Sequence, residues 1–269
     1  MQRSSKILAE LPWYTEGPVM DADGNIYFTT LKGGSIVKID VAGQLSNWAS
    51  SACPNGQLIL PGGDHLICES GLSAVSRFNS GGAFVGHELE ATCAGAEVYV
   101  PNDLVVDSEG AVYFTDSIRH TGKVCYYAPD DTQRIIASGL DYPNGIDLSK
   151  DGKLLFIAES YRNRILVMSL TSSGMPDGTW QVFAMLPSHP SGDIAKNCPD
   201  GIRTDAAGCL WVAHYGMQAI QVLSEDGHLI NTIETKFPLT SNLFLHNNEL
   251  IVTGGFAEPG PGGVQRIII

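Results

Sequence analysis

The chain has 269 residues, 43% of them hydrophobic and only 17% charged, with 30 glycines. That composition excludes a disordered chain and points to a globular protein built on many tight turns. A formal net charge of −13 argues against a nucleic-acid partner, which would call for clustered Lys and Arg.

In chain order, "MQRSSKILAELPWYTEG" has no long apolar run and no small-residue cleavage site, so no secretory signal is expected. No later stretch reaches the roughly 20 apolar residues of a membrane span, and no membrane association is expected. "SKILAE" (4–9) reads as a strand, and the chain then begins to repeat itself. A carboxylate or an asparagine follows a short turn signal in "TEGP" (15–18), "CPNG" (53–56), "VPND" (100–103), "PNG" (143–145), "CPDG" (198–201) and "TSNL" (240–243). The repeated residues are Glu16, Asn55, Asn102, Asn144, Asp200 and Asn242, spaced by 39, 47, 42, 56 and 42. In the first five units a glycine follows eight positions later (Gly24, Gly63, Gly110, Gly152, Gly208), while the sixth uses "HNNE" (246–249). These are hairpin turns, where a positive φ favours glycine.

After each turn comes a β-branched or aromatic run: "NIYFTT", "HLICES", "AVYFTDS", "KLLFIAES", "CLWVAHY", "ELIVTGG". Further strand-like pieces follow, such as "SIVKID", "RILVMSL" and "AIQVLS", and no long segment has helical spacing. Six units of about four short strands predict an all-β fold: a six-bladed β-propeller, one domain over residues 1–269. A sandwich or barrel would have to produce the five matching offsets by coincidence. Either "SKILAE" or "GVQRIII" (263–269) is expected to supply the outer strand of a blade shared by the two ends.

In a propeller the innermost strands line a central channel, so the six repeated residues should converge around its axis. A ring of oxygen donors without Lys or Arg suits a hard divalent cation. Asn55 and Asn242 fit equally well as residues that only shape their turns. Glu16 and Asp200 fit that role less well, because buried carboxylates need a cationic partner and none stands nearby in sequence. The returning strands should put Thr30, Glu69, Ser117, Ser160 and His214 at the rim. Loops 11–15, 86–100 and 187–198 lie on the same side, the last two long enough to act as lids, and His120, His189 and His214 are candidate substrate contacts. The six cysteines form no CxxC pair and no zinc spacing, and are read as reduced thiols of a cytoplasmic protein.

The stretches "TEGPVMDADGNIYFTT", "PNDLVVDSEGAVYFTDS", "PNGIDLSKDGKLLFIAES" and "PDGIRTDAAGCLWVAHYG" resemble the senescence marker protein/gluconolactonase/luciferin-regenerating-enzyme family over nearly the whole chain. More distantly the chain is similar to serum paraoxonase and diisopropyl fluorophosphatase. The resemblance implies a six-bladed propeller with one divalent metal in the channel, held by Glu16, Asn144 and Asp200, with Asn102 as a further direct or water-mediated ligand. Calcium is the first expectation; zinc, magnesium and manganese also suit the family. The implied chemistry is lactone hydrolysis, with Asp200 positioning or activating water.

Sugar-lactonase members commonly carry an Arg where this chain has Val100. Valine cannot donate to a polyol, so a less polar lactone or ester is expected, with Trp13 and Tyr14 near the mouth. A metal-bound carboxylate is a poor proton acceptor, which leaves Asp200 a water-steering role. Asp103 is a candidate partner for the metal ligands. Phosphotriesterase-like or lyase activity on the same cup, or a non-catalytic small-molecule-binding propeller, are the alternatives.

Overall fold

The computed structural model describes residues 4–269; residues 1–3, part of the expected 1–269 domain, lie outside the described residues. The fold is a six-bladed β-propeller. Blade one runs outward through Glu16–Met20, Ile26–Thr29, Ser35–Ile39 and Leu45–Ser50, in a simple antiparallel meander. The other inner strands are Pro54–Ile59, Pro101–Val106, Pro143–Leu148, Cys198–Thr204 and Leu239–His246. Each touches the next around the axis, and the last touches the first.

The chain ends share blade six, as expected, but each supplies a different strand. Gly262–Ile268 is its third strand and Ser5–Leu11 its outer one. Thr15 fastens this seam: its hydroxyl donates to the carbonyl of Gly263 (2.6 Å), and the Gly254 N–H donates to the Thr15 Oγ1 (3.1 Å).

The strand pattern follows from packing. Second strands such as Val112–Asp116 are buried on both faces, because a blade is sandwiched between two neighbours; they therefore read as continuous apolar runs. Outer strands such as Leu45–Ser50 are mostly exposed and polar. The core is distributed between adjacent blades. Tyr113, Val124, Ile146, Leu155 and Ile157 pack together between the third and fourth blades, each at most 1% exposed. Full burial of one such side chain contributes about 1.5–3 kcal/mol. At the hairpins, Gly24, Gly63, Gly110, Gly152 and Gly208 all have φ between +69° and +88°, and in the sixth unit Asn247 takes this place at +52°.

The repeated motif does more than turn the chain. In every blade the pairing of inner and second strands slips beside the repeated residue, between Glu16 and Val19, Pro54 and Gln57, Pro101 and Leu104, Pro143 and Ile146, Pro199 and Ile202, and Thr240 and Asn242. Such a bulge re-aims a side chain that a regular pleat would turn into the blade. The glycine that follows has a steric reason too. A Cβ on Gly17, Gly56 or Gly145 would lie 2.6, 2.6 or 2.2 Å from the next blade's backbone oxygen, on Asn55, Asn102 or Asp200 respectively. Hydroxyls then tie blade to blade: Thr29 donates to the Asn55 carbonyl (2.8 Å), Thr115 to that of Asn144 (2.7 Å) and Ser160 to that of Pro199 (2.7 Å).

Candidate functional site

The six bulges aim their side chains at one end of the channel. A cup of about 260 Å³ opens there, and Glu16, Asn55, Asn102, Asn144 and Asp200 all line it. Each is 4–7% exposed. Asn242 sits beneath: it accepts from the Leu243 N–H (2.8 Å) and its amide reaches Asp103 Oδ2 at 3.5 Å. The floor is an ion pair that sequence spacing did not reveal. Asp103, fully buried, meets the guanidinium of Arg203 at 3.3 Å, and Arg203 also donates to the Ile202 carbonyl at 2.6 Å. The one cation near the axis is therefore committed to Asp103, and no Lys or Arg lines the cup among the described residues.

Glu16 and Asp200 are consequently left facing each other in a buried site. Burial pushes the Glu16 carboxyl up to about 8, against the pull of the Gly17 N–H and the Asn242 amide, with Asp103 and Glu258 adding to the rise. Burial also raises Asp200, and then the charges of Glu16, Glu258 and Asp103 raise it further. Asn55 Oδ1 is buried and has no hydrogen-bond partner. Among the described residues no group of three or more His, Cys, Asp or Glu side chains is placed to hold a metal; the cup instead combines two carboxylates with amide oxygens. An unpartnered amide oxygen beside two uncompensated carboxylates is a donor set that fits a hard divalent cation.

Around this ring stand four phenols, Tyr14, Tyr142, Tyr161 and Tyr215. Tyr14, buried, is raised well above its usual range by burial and by Asp200, Glu16 and Glu258. Tyr142 is raised by burial and Asp200, and Tyr215 by burial and Glu258. Tyr14, Tyr142 and Tyr215 remain protonated donors. The Tyr215 hydroxyl donates to Glu258 Oε1 at 2.9 Å, holding a third carboxylate at the cup's edge. Burial, then Asp200, pushes the Cys198 thiol up to about 12, so it is not a nucleophile near neutral pH.

Other expected contacts lie elsewhere. His214 is buried behind the wall, bonded to Asn163 Oδ1 at 3.1 Å, and burial holds it at about 4. His189 is half-buried and bonds Ser191 (2.7 Å), while His120, exposed, faces Asp141 at 3.4 Å. The Val100 N–H donates to Asp116 Oδ1 (2.6 Å), and its side chain is outside the cup, as is Trp13. Of the five predicted rim residues only Ser160 lines the cavity. Glu69 instead accepts from the Ser51 and Ser76 hydroxyls, and Ser117 and Thr30 bond backbone carbonyls. Of the two long loops, 187–198 reaches the cup through Ala195 and Cys198; 86–100 folds back on itself and contributes nothing to the lining.

The lining residues missed in the sequence do follow the repeat. Tyr142 and Cys198, like the expected Tyr14, precede a ring residue by two positions, and Leu31, Tyr161 and Tyr215 each come one after a residue read as the rim. Successive residues point to opposite sides of a strand, so a one-residue error selects the wrong wall. Glu258, in the loop 256–261, stands outside the repeat and has no such signal.

Fold and cup together define a class: a six-bladed propeller with an oxygen-lined, acid-bearing cup at one end of its channel. The chain belongs to the SMP-30/Gluconolactonase/LRE-like family, whose model matches residues 14–255. It is similar to the lactonase drp35 of Staphylococcus haemolyticus, 29% identical over 231 residues, covering 81% of this chain and 68% of that one. With the Staphylococcus aureus lactonase drp35 it shares 32% identity over 178 residues, 58% of this chain, and spans about half (53%) of that relative's length. Among solved structures, a gluconolactonase from Xanthomonas campestris superposes with a TM-score of 0.84 at 24% identity, covering 99% of this chain and 89% of that one. The calcium-binding protein regucalcin from Agrobacterium tumefaciens does so at 0.78 and 18%, covering 99% and 93%. At these identities the structural likeness speaks for the fold.

Proposed function

We propose that the protein is a lactonase: it adds water to the acyl carbon of a cyclic ester and opens the ring to a hydroxy acid. The observation that carries this is the cup itself, where two buried carboxylates and an unpartnered amide oxygen converge without a protein cation. The names of the relatives, lactonase drp35 and gluconolactonase, support the reaction class. Glu16, Asn144 and Asp200, with Asn102 and Asn55 beside them, would hold a divalent cation, calcium first, as the name of the regucalcin neighbour also suggests. When bound, such an ion polarises an ester carbonyl and lowers the pKa of water.

The chain's own groups do the rest. Tyr14 and Tyr142 keep their protons and donate to the ring ester, so that developing charge meets preorganised donors. Asp200 orients the attacking water. Glu258, held by Tyr215 and outside the ring of ligands, is the group placed to move a proton between that water and the departing alkoxide. The acyl carbon–oxygen bond of the ring breaks, the water oxygen ends in the carboxylic acid, and its proton ends on the new alcohol.

The test is proton release on a panel of polar and apolar lactones, with metal-stripped protein and protein reloaded with calcium, zinc, magnesium or manganese. Calorimetry of each ion is run beside it. Turnover restored by one ion, and lost in Asp200→Ala, supports the reading. An ion that binds at the cup with no lactone turned over overturns it.

A further inference from the structure

The cup does not end at its ring. A second cavity of about 550 Å³ adjoins it, walled by Tyr14, Leu31, Lys32, Cys53, Glu258 and Pro259. Tyr14, Leu31 and Glu258 line both cavities, so the two lie side by side. We propose that this groove is the subsite for an apolar chain on the lactone ring, and that the substrate is an alkyl-substituted lactone rather than a bare or polyhydroxylated one; this rests on the lactonase reading above.

The backbone shows how two of the wall residues are placed. Leu31 has φ +41° and Cys53 +62°, a left-handed region that glycine or asparagine occupies most readily. Turn chemistry alone would place one of those there. Instead two apolar side chains are kept at costly positions, and both line the groove. The positive φ at Cys53 recurs at Tyr142, which also stands two positions before a ring asparagine, so the repeat's own turn aims these side chains at the mouth. Neither position is loose. Leu31 opens a short 3-10 turn, Leu31–Gly33, and its carbonyl accepts from the Gly34 N–H at 2.9 Å. The Cys53 carbonyl accepts from both the N–H (3.2 Å) and the hydroxyl (3.1 Å) of Ser70.

Trp13 takes a role here that its place in the sequence did not suggest. Its indole packs so closely on Gly33 that an added Cβ would lie 2.7 Å from Cδ1. It backs the turn that presents Leu31 and leaves the groove itself free. The ammonium of exposed Lys32 can stay in water while its stem flanks a bound chain. Pro259 offers no N–H, so a polyol has few donors to meet along this wall.

The experiment measures kcat/KM by proton release for a five-membered lactone and its homologues with straight alkyl chains of increasing length on the carbon bearing the ring oxygen. Alkyl cyclic ethers of matching shape, which cannot be hydrolysed, are titrated in parallel by calorimetry. kcat/KM should climb about two- to fourfold per methylene until the chain outgrows the groove. The ethers should bind with a similar slope. Leu31→Asn and Cys53→Asn place a polar amide on the wall while suiting the left-handed backbone, so both variants should fold, which melting curves check; both should flatten the slope. A flat slope in the native protein with ring lactones still turned over overturns this inference alone, as does a slope that neither variant changes. Inert lactones with ethers still binding by chain length overturn the lactonase reading and leave the groove standing. Inert lactones and no chain-length dependence in the ethers overturn both.

Discussion

Replacing Gly145 by alanine tests whether the glycine after each ring residue is there for the approach of neighbouring blades. The added Cβ would lie 2.2 Å from the carbonyl oxygen of Asp200, 2.6 Å from the Ile202 nitrogen and 2.8 Å from the Gly201 carbonyl carbon. All three are backbone atoms of the next inner strand, so no side chain can swing away. The φ of Gly145 lies outside the left-handed region, so the cost is steric and not conformational. Relief requires the fourth and fifth blades to part at the axis by the better part of an ångström, in the stretch that carries Asn144 and Asp200. Overpacking of this kind costs about 3 kcal/mol, or a fall in melting temperature of about 6–12 °C for a chain of this size.

Gly62→Ala is the control, because a Cβ there meets nothing within 4 Å and its φ too lies outside the left-handed region. It should melt within about 2 °C of the native protein. Gly201→Ala should fall between the two, because its Cβ meets the side chain of Asn242 at 2.2 Å and not backbone. Differential scanning calorimetry gives the ranking, and calcium titration shows whether the cup is displaced with the blades. Gly145→Ala melting with the Gly62→Ala control, and binding calcium as the native protein does, would refute the steric account.

Asp200→Asn keeps the shape of the cup but removes a charge; if Asp200 orients water, kcat should fall roughly a hundredfold or more with little change in KM, and equal losses in both would discard that role. Arg203→Met leaves Asp103 buried without its partner at 3.3 Å, so chemical denaturation should show a loss of about 3–5 kcal/mol, and adding Asp103→Asn should recover part of it. The pH dependence of stability should carry the mark of His214, which burial holds at about 4 against an ordinary 6.5. Its folded pKa is depressed, so below pH 6.5 the unfolded chain takes up a proton that the folded chain refuses. The stability from its neutral burial is complete above that pH and is lost as the pH falls toward 4, by about 3 kcal/mol. His214→Gln should therefore lose less stability than the native protein between pH 7 and pH 4.5 in urea titrations, by about 2–3 kcal/mol; identical losses would exclude the effect.

The fold was legible because a propeller is written as a repeat: five glycines at one offset mark five hairpins, and Asn247 takes the left-handed turn of the sixth. The ring residues were legible for the same reason, since equal positions in equal blades meet at the axis. What the repeat could not convey is which side of a strand a residue faces after a bulge. His214 was therefore read at the rim, where its successor Tyr215 and not His214 itself lines the cup. Nor does spacing express pairings across the channel: Arg203 and Asp103 stand 100 positions apart in the chain. Glu258 belongs to a loop that no other blade repeats.

That pairing across the channel decides where an ion belongs. Glu16, Asp103 and Asp200 crowd the axis, and the guanidinium of Arg203 meets one of them, Asp103. By pairing with Asp103 at 3.3 Å it neutralises the floor and leaves the carboxyls of Glu16 and Asp200 without a protein cation. A bound dication would displace the protons that burial favours on these two carboxyls, and their two charges, with neutral amides completing the set, would then match its own. The remaining donors then discriminate among dications. Zinc favours nitrogen and sulfur, yet no histidine lines the cup among the described residues, and the one thiol there, Cys198, is held at about 12 by burial and Asp200. Calcium takes six to eight oxygens at flexible angles, and amide oxygens on separate blades, each aimed by its own bulge, are suited to such an irregular shell. If the cup holds an ion as proposed, the same bulges that the repeat imposes on every inner strand would favour a large, oxygen-seeking one over a small tetrahedral one.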